Sequence, residues 1–250
     1  MKEGYRFVDC DMHIMEPIDL FDKYLDSAFK TRVTSAMRPT DSGSTGMRRR
    51  PLWFFDGTPT SNDGNVSQYN RTRGPLVSSR ANQNVMFAVE RGYDAEAQVM
   101  GMKMEGVDIA VLFPTAGLSF LGRDNMDPQL SAAICRAYNN WLHDFTQYSA
   151  DQLKMAAMLP IHDINLACRE LHRCVRDYGA VGAFVRPNYV NAAIGIRPIG
   201  IRCTACCRTS MCRSASMKGR DRIIRRSSPA LARTGSCATW RATLPRCSSR

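Results

Sequence analysis

The amino-acid sequence predicts an α/β fold with a parallel sheet over residues 1–195. Short apolar runs of buried-strand length recur at residues 109–113, 154–159 and 180–185. Helical patterns separate them, the clearest at 164–178 and in the stripe that begins at Leu130. Strands that alternate with helices favour parallel pairing, because a parallel pair needs a crossover long enough to hold a helix.

Taken in order, Arg6-Phe7-Val8-Asp9-Cys10 reads as a strand running into Asp11-Met12-His13. Residues 38–80 are rich in Ser, Thr, Asn, Gly, Pro and Arg, and a loop-rich insertion is expected over about 30–93. A helix is expected from about Asp94 to Glu105. The turn Gly106-Val107-Asp108 then leads into the strand at 109–113, which ends at Pro114. Asp127 is a natural N-cap and Pro128 suits a first helical turn. Leu130, Ala133, Ile134, Ala137, Tyr138, Trp141, Leu142 and Phe145 then form an unbroken helical stripe. The last strand, at 180–185, ends at Arg186-Pro187.

Composition changes near Gly195. Residues 1–196 carry 21 Lys+Arg against 22 Asp+Glu, a net −1, and residues 197–250 carry 13 against the single Asp221, a net +12. The chain's whole excess of +11 therefore lies in that tail. The tail also has six of the ten cysteines and only six Leu, Ile, Val or Phe residues. That is too little apolar surface to offset the entropy of folding, so 196–250 is expected to be disordered. Cys10, Cys135, Cys168 and Cys174 occupy core-like positions without disulfide-framework spacing, which points to the cytosol. No run approaches the roughly 18 apolar residues of a spanning helix, so no membrane partner is expected.

In a regular strand Asp9, Asp11 and His13 project to one side. A carboxylate and an imidazole two residues apart at a strand end can grip one divalent ion, with zinc and manganese both suited to the donor pair. The plainer reading of an isolated Asp-x-His is a solvated loop pair.

The run Val8-Asp9-Cys10-Asp11-Met12-His13-Ile14-Met15-Glu16-Pro17 resembles the opening of the amidohydrolase-related family (amidohydrolase 2 type) that includes aminocarboxymuconate-semialdehyde decarboxylase. The resemblance continues through Met104–Asp108, Phe113-Pro114-Thr115, Ala137–Leu142, Met158-Leu159-Pro160 and Phe184–Asn188. It implies a metal-dependent (β/α)8 TIM barrel with about four of the eight strands present, and a hydrolase or decarboxylase acting on a small carboxylate or carbonyl substrate. It also implies Asp11 and His13 as the first two metal ligands. Many members have His-x-His there, and Asp11 is a departure. Thr115, His162, Arg186 and Asn188 fall at strand C-terminal ends, where barrel enzymes bind substrate, and Arg186 could hold a carboxylate bidentately. The plainer readings are a helix cap for His162 and a core ion pair for Arg186. The catalytic acid–base group is expected in the missing half, the chain as written is expected to be inactive, and the parent is expected to be a cytoplasmic homo-oligomer without a nucleic-acid partner.

Three readings of the tail compete. A zinc module would use Cys203, Cys206, Cys207 and Cys212, but Cys237 and Cys247 are isolated and no histidine follows His172. A basic arm for nucleic acid or acidic partners would carry salt-sensitive affinity, but interleaved aromatics are lacking. The third reading is out-of-frame translation after about residue 195. If each true codon joins the last base of one tail codon to the first two of the next, Met217-Lys218 gives Glu and Met211-Cys212 gives Val without ambiguity. The neighbouring codons permit Phe, His and Gly, which restores the family's Phe-His-Glu-Gly stretch. This reading accounts for the most observations.

Overall fold

The computed structural model describes residues 4–39, 49–60, 87–88, 90–185, 189–191 and 193–194. Arg186, Asn188 and the 196–250 tail lie outside the described residues. The chain runs β1 (Val8–Ile14), α1 (Leu20–Tyr24), β2 (Val33–Pro39), β3 (Arg49–Phe55), β4 (Thr58–Pro59), α2 (Ala95–Glu105) and β5 (Ile109–Pro114). It continues with α3 (Pro128–Gln147), β6 (Leu153–Met158), α4 (Ile164–Tyr178), β7 (Gly182–Phe184), β8 (Tyr189–Val190) and β9 (Ala193–Ile194). A four-stranded sheet has the order β1-β5-β6-β7, with β1–β5 and β6–β7 parallel. The predicted parallel α/β class holds. Among the described residues the sheet is open and no helix is long and apolar enough to cross a membrane.

Two compact units divide the chain: Met1–Phe120 with Arg136–Lys154, and Leu121–Cys135 with Met155–Arg250. In the first, α2 is capped by Asp94, which accepts the Ala97 N–H, and ends at Gly106 in the left-handed conformation that glycine adopts cheaply. Part of the stretch expected to be loop is an antiparallel sheet, β2-β3-β4. Phe55 and Thr58 pair across a two-residue turn, Asp56-Gly57, with both residues at positive φ. That is the Asp-Gly hairpin turn whose twist matches the flanking strands. Arg32 clamps the turn bidentately through Asp56, at 2.7 and 2.8 Å. The sheet exists because Trp53 and Phe55 are buried with Phe21 and Phe120 in a cluster of mostly edge-to-face rings, at centroid separations of 5.3 to 6.1 Å.

In the second unit Asp163 caps α4 by accepting the Asn165 and Leu166 N–H groups, both at 2.8 Å. The helix buries Leu166, Ala167, Leu171 and Cys174, together with Glu170, which Arg173 satisfies bidentately at 2.6 and 2.9 Å. Burial pushes the Cys135 and Cys174 thiols well up, so both are inert core groups. Cys10 is exposed rather than core-placed: β1 is the end strand of the described sheet, and Val8 on it is exposed as well.

Candidate metal centre

β1 and β5 lose register between Asp9 and Met12. Asp9 stands opposite Ala110 and Met12 opposite Leu112, so Cys10 and Asp11 together face Val111 alone. This is a bulge, and it changes the expected geometry. Asp9 shares a face with Met12 and not with His13, contrary to strict alternation. Its carboxylate accepts the Asp11 N–H at 2.9 Å. Beyond the bulge, Asp11 and His13 are brought together, with His13 Nε2 lying 3.8 Å from Asp11 Oδ1.

His13 reaches the C-terminal end of β5, where its Nδ1 lies 2.6 Å from the Pro114 carbonyl oxygen. A carbonyl only accepts, so Nδ1 carries the proton and the Nε2 lone pair is left on the Asp11 side. Metal-ligating histidines are typically oriented in this way. The donor chemistry and spacing fit two ligands of one divalent ion. Among the described residues no group of three or more His, Cys, Asp or Glu converges.

Thr115, at the end of β5, is half-buried, and its N–H donates to Glu16 Oε1 at 3.1 Å. Ala116 N–H donates to Oε2 and Gly117 N–H to Oε1, both at 2.9 Å. Glu16 is only 3% exposed. Burial pushes its carboxyl above the ordinary value, opposed by those backbone N–H groups. Sequence reasoning assigned it no role. The available signal was an acid held in the apolar run Ile14-Met15-Glu16-Pro17-Ile18. Tyr138 is also buried, with a hydroxyl that has no hydrogen-bond partner among the described residues. A mostly apolar cleft of about 250 Å³ is lined by Met12, Gln98 and Met102, and it lies away from His13 because Met12 and His13 project to opposite faces.

His162 was expected to bind substrate. Both of its ring nitrogens are engaged by protein: Nε2–H donates to the Arg123 carbonyl at 2.8 Å, and Nδ1 accepts from the Ser131 hydroxyl at 2.9 Å. The ring therefore ties the 123–131 segment to the end of β6. Burial lowers its pKa below 6.5, so the folded state takes up a proton later than the unfolded chain does. Its contribution is present above about pH 6.5 and is lost as the pH falls toward the lower folded value. Denaturant unfolding at pH 7.5 and 5 should show wild-type stability falling more steeply than that of His162→Gln. Equal slopes would contradict the brace.

No family model matches the chain, and no curated protein does. Among solved structures, an amidohydrolase from Mycobacterium avium subsp. paratuberculosis K-10 superposes with a TM-score of 0.53 at 21% identity, over 80% of this chain and 55% of that one. Over that matched part, the chain shares the fold of that amidohydrolase. A 5-carboxyvanillate decarboxylase from Novosphingobium aromaticivorans, solved with manganese and 3-methoxy-4-hydroxy-5-nitrobenzoic acid, superposes at a TM-score of 0.48 and 20% identity, over 82% and 49%. The chain thus spans about half the length of the solved proteins it matches.

Proposed function

We propose that residues 1–195 are the leading part of a metal-dependent enzyme of amidohydrolase type that hydrolyses or decarboxylates a small carboxylate or carbonyl substrate. The observation that carries this reading is the His13 ring. Its Nδ1–H is spent on Pro114, and its Nε2 lies beside the Asp11 carboxylate at the C-terminal ends of parallel strands. Asp11 and His13 would hold the ion, zinc or manganese. Such an ion, when bound, lowers the pKa of coordinated water and polarises a carbonyl or carboxylate. Thr115 would face substrate at the end of β5, and Arg186 and Asn188 would take its carboxylate, Arg186 through its planar fork. His162 has no free nitrogen for substrate and is assigned to bracing.

The reading includes the tail. The Glu and Val codons recovered without ambiguity support 197–250 as a wrong-frame product, with the acid–base group encoded in the other frame. Sequencing the coding DNA around codons 190–200 checks this directly. The chain with its frame restored should then turn over small aromatic or enol carboxylates, or their amides and lactones. Activity should vanish with a chelator and return with zinc or manganese. Chelator-resistant turnover would refute the metal reading.

A further inference from the structure

We propose that Glu16 is a positioning residue that sets the tautomer and aim of His13 through the turn after β5; the inference rests on the metal reading only for what His13 then holds. The coupling is mechanical. The Pro114 carbonyl that accepts the His13 Nδ1–H and the Thr115 N–H that donates to Glu16 belong to the same peptide unit. That unit is planar, so its carbonyl and N–H cannot turn independently. Glu16 therefore grips one end of a rigid plate while His13 rests on the other.

Two further bonds, from the Ala116 and Gly117 N–H groups, make the grip a three-donor nest around one buried carboxylate. A carboxylate withdrawn from water needs such donors, and with both oxygens accepting, the side chain has one stable pose. The plate's carbonyl then stays directed at Nδ1. Freed of it, a neutral imidazole can move its proton to Nε2, which would place N–H rather than a lone pair beside Asp11. A residue that merely filled space could be lost at a cost in stability without altering the tautomer.

The test is histidine 15N NMR on the full chain, with Mn2+ added as the probe. Wild type should show His13 as the Nδ1–H tautomer, with its ring resonances broadened by Mn2+. Glu16→Ala removes both accepting oxygens, and with Oε1 the bond from the Thr115 N–H. It should move His13 toward the Nε2–H form and raise the Mn2+ concentration for half-broadening about 10-fold or more, the scale on which loss of a ligand's supporting partner acts. Should that variant unfold, Glu16→Asp, which keeps the charge one methylene short, carries the same comparison. An Nε2–H tautomer in wild type would overturn the proposal. So would a folded variant that keeps Nδ1–H and half-broadens within twofold of wild type. Absence of Mn2+ broadening in wild type would refute the metal reading, while the tautomer comparison would still decide the role of Glu16.

Discussion

Phe120→Ala should destabilise the protein by about 3–5 kcal/mol, the range for removing a fully buried aromatic side chain from a packed core. Phe120 is fully buried, and its ring centroid lies 5.5 Å from Phe21, 5.3 Å from Trp53 and 5.5 Å from Phe55. Truncation thus removes three aromatic contacts as well as burial, and each such pair is worth about 0.5–1.5 kcal/mol beyond its area. The loss is a large share of the roughly 5–15 kcal/mol that holds a domain folded. Urea unfolding measures it, with the exposed Tyr148→Ala as a control expected within about 0.5 kcal/mol of wild type. A cost below about 1 kcal/mol for Phe120→Ala would mean that the β2-β3-β4 sheet does not pack as described.

The second large effect is on metal affinity. Two side chains make a poor site, since catalytic zinc centres use three protein ligands and an open position. Restoring the frame after about residue 195 should strengthen binding by at least the ~100-fold that loss of a mere supporting partner can cost. His13→Ala in the restored chain should abolish that gain. Calorimetric titration with zinc and manganese reads both changes. Equal affinity in the two chains would remove the grounds for the wrong-frame reading of the tail.

Much of the fold was legible because its signals are local. Asp163 and Gly179 bracket α4 as N-cap and C-cap, and the helix runs over the residues that its periodicity marked. Asp127 and Pro128 likewise start α3, with Gln129 N–H donating to Asp127 at 2.9 Å. The antiparallel sheet was passed over although Asp56-Gly57 is a strong hairpin signal, because the surrounding polar composition masked the short apolar run Leu52-Trp53-Phe54-Phe55. The site was legible only in part. Alternation placed Asp11 and His13 on one side, as found, but it could not show the bulge that arises where β1 pairs with β5, a strand about a hundred positions away. Period-two reasoning put Asp9 on the wrong face for the same reason. Glu16 was hidden more deeply. Its partners are backbone N–H groups at 115–117, and backbone donors leave no mark in a sequence.

Anomalous diffraction from manganese-soaked crystals of the restored chain tests the central claim most directly. The claim predicts one strong peak about 2.0–2.2 Å from both His13 Nε2 and an Asp11 carboxylate oxygen, with His13 Nδ1 still on the Pro114 carbonyl. A peak held by other residues, with Asp11 and His13 uncoordinated at full metal occupancy, would contradict it.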